Sequence, residues 1–95
     1  MTDDFETLIR WSKMRDKIKQ VVENRRYTNR LGSEWRISDA KAPEYFGTRG
    51  KSVIYVDDSA EWYEVHVFDF SGNGGRVAAY KSIDAALRNG IKAVA

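Results

Sequence analysis

The sequence contains no cysteine, one proline and one histidine among its 95 residues. The lack of cysteine excludes disulfides, thiolate metal sites and cysteine nucleophiles, and a single histidine excludes a His-rich metal site. No run of about 18 apolar residues is present, so the sequence predicts no membrane span. The chain starts with an acidic segment and has no apolar stretch behind it, so we predict no secretion signal and expect a cytoplasmic protein.

The rest of the composition is that of one small globular domain. With 42% hydrophobic and 32% charged residues, the chain is too apolar and too mixed in charge to be disordered. A chain of this length buries roughly 65% of its unfolded surface, which allows one core. Because we find no repeat, low-complexity tract or linker, we predict a single domain over residues 1–95.

Charge is distributed unevenly although the formal net charge is only +2. Residues 10–30 hold eight basic and two acidic residues, whereas residues 57–69 hold five acidic residues and no lysine or arginine. We therefore expect a basic side and an acidic side, each suited to a partner of opposite charge. The alternative is that both are solvated faces that keep a small domain soluble.

Apolar residues at three- and four-residue steps predict an amphipathic helix over residues 4–24. Its apolar face consists of Phe5, Leu8, Ile9, Trp11, Met14, Ile18, Val21 and Val22. The face that points away from these residues carries a basic ridge, which we define as Arg10, Lys13 and Lys17. This ridge is a candidate contact surface for a partner.

Alternating and β-branched residues predict strands later in the chain. The strands are expected at residues 51–56, 61–70 and 76–80, and turns at 57–60 and 71–75. A short first strand is indicated around Trp35 and Ile37, and Tyr45 and Phe46 are expected in a loop. Ser82 fits the N-cap of a second helix that ends near Asn89, with Gly90 as its stop.

These elements predict an α+β domain of order α-β-β-β-β-α, or α-β-β-β-α if the first strand does not form. A meander of strands over residues 51–80 gives an antiparallel sheet, and we expect two helices on one of its faces.

The strand expected at residues 61–70 has two unlike faces. Its evenly apolar face, predicted to point inward, is Tyr63, Val65 and Val67. The outward face carries the candidate aromatic binding residues Trp62, His66 and Phe68, and Phe70 extends it at its end. Such a surface can stack nucleic-acid bases or form the centre of a protein interface. The alternative is that the loop with Tyr45 and Phe46 covers it.

Other candidate sites carry less weight. Glu64 and His66 share a strand face and can meet, which is the basis of a third hypothesis, a small hydrolase or nuclease. The acidic turn, which we define as Asp57, Asp58 and Glu61, lacks the ligand spacing of a calcium loop and is a candidate contact for a basic partner. We therefore predict no catalytic residue, no metal and no cofactor.

The segment Gly50-Lys51-Ser52 matches the end of a phosphate-binding loop. The complete motif requires a strand before it and a helix after it, whereas here a strand follows. We therefore interpret the segment as structural and reject a nucleotide site.

The helix, three strands and helix resemble the topology of the double-stranded RNA-binding domain. In that family a basic cluster at the start of the last helix grips phosphates. Here that helix begins Ser82-Ile83-Asp84 with only Lys81 nearby, so no RNA-contacting residue is carried over.

The sequence favours a non-enzymatic binding module that occupies a protein or ribonucleoprotein complex. In size and composition it is similar to small phage or mobile-element inhibitors such as anti-CRISPR proteins. The alternative is a nucleic-acid-binding domain that uses the basic ridge together with the aromatic sheet face. A dimer is compatible with either hypothesis.

Overall fold

The computed structural model describes residues 2–25, Trp35 and residues 42–95. The elements are α1 (Thr2–Arg25), β1 (Glu44–Phe46), β2 (Lys51–Val56), β3 (Tyr63–Phe68), β4 (Gly74–Tyr80) and α2 (Ile83–Ala93). The strands form one antiparallel sheet in the order β1-β2-β3-β4. This confirms the predicted α-β-β-β-β-α order of a small α+β domain. Within the described ranges, neither helix is long and apolar enough to cross a membrane.

The core lies between one face of the sheet, here called the inner face, and the two helices. Tyr63 and Val65, which were predicted to point inward, are buried there, and Val67 packs against them. The other buried members of this core are Ile18, Val22, Trp35, Tyr45, Ile54, Ile83, Ala86, Leu87 and Val94. Because both helices contribute to this cluster, the opposite face of the sheet is covered by neither.

Helix α1 confirms the predicted helix, but the domain covers only the second half of its apolar face. Ile18 and Val22 are buried and Met14 packs beside them. In the first half, Phe5 is 67% exposed and Leu8 is 58% exposed. The helix was therefore predicted correctly, but Phe5 and Ile9 were wrongly included in its buried face, because at 3.6 residues per turn they lie roughly 140° and 180° around the helix from Ile18.

The first strand lies at Glu44–Phe46, where we had expected a loop. Tyr45 pairs with Ser52 of β2, and its ring packs in the core 5.5 Å from that of Trp35. Trp35 is buried but belongs to no strand. Residues 36–40, which include Ile37 of the strand expected there, lie outside the described residues.

Helix α2 begins as predicted, because the Ser82 hydroxyl accepts a hydrogen bond from the Ala85 amide at 3.3 Å. The predicted stop at Gly90 is wrong, since the helix continues to Ala93. The Ser52 hydroxyl donates to the Gly90 carbonyl at 2.6 Å. A Cβ on Gly90 would lie 2.8 Å from the Trp35 ring. Gly90 thus permits close packing rather than a helix end.

The strand predicted at residues 61–70 is shorter, and the strand after it is longer, than expected. The Asp69 carboxylate accepts hydrogen bonds from the Ser71 and Asn73 amides, at 2.9 and 3.0 Å. These bonds close a turn directly after β3. Residues 74 and 75, expected in that turn, already pair with β3 as the start of β4.

Candidate functional site

The register of the strands orders the side chains of the uncovered sheet face, here called the outer face, into three rows. The rows are Phe46, Lys51 and Phe68; Glu44, Val53, His66 and Arg76; and Tyr55, Glu64 and Ala79. This surface confirms the outward position predicted for His66 and Phe68. It also shows that the face is built by all four strands and not by β3 alone.

Three rings form a continuous aromatic cluster on the outer face. Tyr55 meets His66 edge-on with ring centroids 4.8 Å apart, and His66 stacks on Phe68 at 6.4 Å. Val53 lies in the same row as His66 and is only 2% exposed, although neither helix packs on this face. Tyr55 and Phe46, in contrast, are exposed to solvent on the same face.

Glu64 connects β3 and β4 across the outer face. Its Oε1 accepts a hydrogen bond from His66 Nε2 at 3.0 Å, and its Oε2 accepts one from Arg76 Nη1 at 3.1 Å. The hydrogen bond from His66 lowers the pKa of Glu64 most. Burial raises this pKa, whereas the hydrogen bond and the positive charge of Arg76 lower it. The net effect is a pKa of Glu64 below its usual value.

The contact between Glu64 and His66 is the one on which the hydrolase hypothesis depends. Nucleophilic catalysis needs a hydroxyl or thiol within hydrogen-bond reach of the imidazole. Among the described residues, the only side-chain hydrogen-bond partner of His66 is Glu64. Arg76 binds the second carboxylate oxygen of Glu64. Glu64 therefore links β3 to β4 across the sheet, an arrangement that we call the cross-strand clamp.

We expect Glu64→Gln to reduce the free energy of unfolding by about 1 kcal/mol at pH 7, because the amide weakens two charge-assisted hydrogen bonds. The pKa of Glu64 is lowered in the folded protein, so unfolding takes up a proton as the pH falls below the ordinary glutamate pKa of 4.5. Wild-type stability should therefore decline through this range towards that of the variant. Thermal unfolding between pH 3 and 7 measures both, and parallel curves would contradict the prediction.

Trp62 lies at the end of the outer face nearest the β2–β3 turn. It is exposed and precedes β3, and Lys81 Nζ sits 4.3 Å from its ring centroid in a cation–π contact. The ring borders a shallow groove lined by Asp57, Trp62, Glu64, Arg76, Val77, Ala78 and Ala79. Trp62 is thus separate from the cluster of Tyr55, His66 and Phe68, although the same face presents both.

The acidic turn has a structural role at Asp57. Its carboxylate accepts hydrogen bonds from the Ser59 hydroxyl and from the Glu61 and Trp62 amides, the latter two at 2.8 and 2.9 Å. Burial raises the pKa of Asp57, but these hydrogen bonds together bring it below the usual value. Asp58 and Glu61 are exposed. No group of three or more potential metal ligands occurs within the described ranges.

The basic ridge lies on α1, outside the core. All three residues are exposed, and Arg10 Nη2 donates to the Ser59 carbonyl at 3.4 Å. Lys13 and Lys17 form no ion pair with another described residue. The ridge and the aromatic cluster therefore belong to different elements, and Arg10 reaches the turn that precedes Trp62.

The segment Gly50-Lys51-Ser52 is occupied by structural contacts, as its sequence context predicts. Gly50 lies against the backbone of Phe68, Lys51 pairs with Glu44 at 3.4 Å, and the Ser52 hydroxyl bonds to α2. A strand follows the segment, so its amides do not converge on a phosphate.

Two residues of the outer face, Tyr55 and Phe46, were absent from the sequence-based site. Tyr55 could have been found from hairpin register, because a turn over residues 57–62 pairs Val56 with Tyr63 and places Tyr55 opposite Glu64. No comparable signal exists for Phe46, because the three-residue strand that positions it forms only by pairing with β2.

Comparisons with protein-family models, with curated proteins and with solved structures find no match to this chain.

Proposed function

We propose that this protein is a non-enzymatic binding module that docks a protein, or the protein part of a ribonucleoprotein complex, on the outer face of its sheet. The observation that carries the proposal is an aromatic cluster on a face that neither helix covers. Aromatic residues dominate the energetics of protein interfaces because they bury a large area at a low cost in side-chain entropy.

The charges of the outer face support a protein partner over a polyphosphate. Lys51 pairs with Glu44 at 3.4 Å and Arg76 pairs with Glu64 at 3.1 Å, so each of these cations already has a carboxylate neighbour. Nucleic-acid affinity depends largely on cations that neutralise phosphates and release counterions. A charge-balanced aromatic surface instead fits a partner with apolar side chains at its centre and polar groups at its rim.

The test compares capture of partner proteins by matched variants of the full chain. Wild-type protein, Tyr55→Ala, Trp62→Ala and Lys13→Ala are immobilised and exposed to a lysate of the source cells, and the captured protein is then purified for calorimetric titration. We expect Tyr55→Ala or Trp62→Ala to weaken binding by about tenfold or more, as for interface hot spots. Lys13→Ala, on α1 and outside the sheet, should change the affinity by less than about twofold.

Circular dichroism of each variant controls for folding, since the substituted side chains are exposed in the free protein. Small and equal losses for all three variants, or loss with Lys13→Ala alone, would contradict binding through the outer face.

The alternative proposal is a nucleic-acid-binding domain that uses the basic ridge. It is favoured by the exposure of Lys13 and Lys17, which have no ion-pair partner among the described residues. Titration of tryptophan fluorescence with RNA and DNA at two salt concentrations distinguishes the proposals, because each neutralised phosphate adds nearly one unit to the logarithmic salt slope.

The finer hypothesis is a small cytoplasmic inhibitor of phage or mobile-element origin, such as an anti-CRISPR protein. It depends on size and composition alone. Its direct test is a plasmid-interference assay in cells that carry an active CRISPR system, with and without the wild-type protein. Restored plasmid uptake that Trp62→Ala abolishes would support it, and unchanged interference would oppose it.

A further inference from the structure

The dipeptide Asn-Gly occurs twice in this chain, at Asn73-Gly74 and at Asn89-Gly90. It is chemically reactive, because glycine has no side chain to shield its backbone nitrogen from attack on the asparagine carboxamide. The first copy lies where the β3–β4 turn enters β4, whereas the second lies inside α2. The two copies share one sequence, so the fold decides which of them reacts.

The carboxamide of Asn73 is exposed and free to turn. Its backbone closes the β3–β4 turn, since the Asn73 amide donates to Asp69 Oδ1 at 3.0 Å and the Asn73 carbonyl accepts from the Asp69 amide at 2.9 Å. Its side chain is exposed, and no hydrogen bond to another described residue holds it. The carboxamide can therefore rotate towards the peptide bond that follows it.

The backbone nitrogen of Gly74 is left unbonded by the sheet. Gly74 pairs with Phe68, but the Phe68 carbonyl oxygen lies against Gly50 and thus points towards β2. A Cβ on Gly74 would overlap the Val67 carbonyl oxygen, so it is this neighbouring carbonyl that points towards β4. Because bonded and non-bonded pairs alternate in antiparallel strands, the Gly74 N–H is directed away from β3. Strand β4 is the last of the sheet, and no described residue accepts a hydrogen bond from this N–H.

The second copy of the dipeptide is held at both reacting groups. Asn89 Nδ2 donates to the Ala85 carbonyl at 2.8 Å. Helix α2 continues through Gly90, so the Gly90 N–H belongs to the helical hydrogen-bond ladder. Gly90 is also buried, with the Trp35 ring against it. Attack of this nitrogen on the carboxamide would require α2 to open locally.

We propose that Asn73 is a site of spontaneous deamidation in the folded protein and that Asn89 is protected from the same reaction. The Gly74 nitrogen gives its proton to a solvent base and attacks Cγ of Asn73. The new C–N bond closes a five-membered succinimide ring, the Cγ–Nδ2 bond breaks, and Nδ2 takes up a proton and leaves as ammonia. Water then opens the ring at one of its two carbonyls, which gives aspartate or isoaspartate.

Either product changes the β3–β4 turn. A carboxylate replaces the neutral amide close to Asp69 and lowers the formal net charge from +2 to +1. In isoaspartate, the main chain also gains a methylene between the nitrogen and the carbonyl that both bond to Asp69. We therefore expect the turn and the start of β4 to loosen. This modification is independent of the proposed function.

The experiment incubates the full chain in mildly alkaline buffer at physiological temperature, in parallel with a sample unfolded in guanidinium chloride. Aliquots are digested at acidic pH, where the reaction stops, and tandem mass spectrometry measures the gain of about one dalton at each asparagine. Isoaspartate is assayed with an isoaspartyl methyltransferase. In the folded protein Asn73 should react at least about tenfold faster than Asn89, because Asn89 must wait for α2 to open. In guanidinium chloride the two rates should agree within about twofold, because neither site is then protected by structure.

Asn73→Gln is the matched variant, because glutamine would have to close a six-membered ring and reacts far more slowly. It should abolish the mass gain at this position and leave the slow rate at Asn89 unchanged, and circular dichroism controls for its folding. Equal rates at both asparagines in the folded protein would overturn the proposal. So would an unmodified Asn73 in the folded protein when both sites react in guanidinium chloride.

Discussion

Gly50→Ala should reduce the free energy of unfolding by about 3 kcal/mol or more, a large share of the roughly 5–15 kcal/mol available to a small domain. Gly50 has a φ of +151°, a conformation that L side chains rarely adopt and that costs them about 1–3 kcal/mol. The added Cβ would also overlap the Phe68 carbonyl oxygen and lie 3.0 Å from its carbonyl carbon. Phe68 pairs with Lys51, so its backbone cannot move without disturbing the β2–β3 pairing.

Two other glycines separate these causes in the same denaturation experiment. Gly72 has a φ of +86° and no neighbour within 4 Å of an added Cβ, so Gly72→Ala should carry only the backbone cost. Gly75 has neither constraint, and Gly75→Ala should change stability little. Urea unfolding followed by circular dichroism should order the variants as Gly50, Gly72, Gly75 from most to least destabilised. Equal stability of Gly50→Ala and Gly75→Ala would contradict the close approach at Gly50.

Leu87→Ala should cost about 2–5 kcal/mol, because Leu87 is fully buried between α2 and the inner face of the sheet and its removal leaves a cavity. For a domain of this size, each 1 kcal/mol corresponds to a fall of roughly 4–8 °C in Tm. Differential scanning calorimetry measures both quantities in one experiment.

Leu8→Ala is the matched control for this prediction. It is the same substitution on the exposed half of α1, and it should cost less than about 1 kcal/mol. Both variants are compared at the same protein concentration. If Leu8→Ala were as destabilising as Leu87→Ala, the first half of α1 would be packed and not exposed.

Local sequence signals predicted those elements whose structure depends on near neighbours. The helical spacing of α1, the Ser82 cap of α2 and the alternation of β3 each involve residues within a few positions of one another. The same holds for the inward position of Tyr63 and Val65. These features were predicted correctly because the chain brings the interacting groups together whatever the rest of the fold does.

The candidate site was predicted only in part. His66 and Phe68 were placed on the outer face correctly by alternation, and the contact between Glu64 and His66 was anticipated. Arg76, which completes the clamp on Glu64, lies on the next strand. Its position depends on the β3–β4 register, which shifts between Val65 and His66. No property of the sequence near Arg76 signals that shift.

The sequence by itself determined the α+β class, the order of the elements from β2 onwards and the helical pattern of α1. The tertiary structure alone decided that Tyr45 and Phe46 form an edge strand and that Gly90 lies within a helix. It also decided that Leu8 on α1 is exposed to solvent. The physical reason is the range of the interactions. Periodicity and caps act between residues a few positions apart, whereas edge pairing, close approach and burial depend on segments that are distant in the chain.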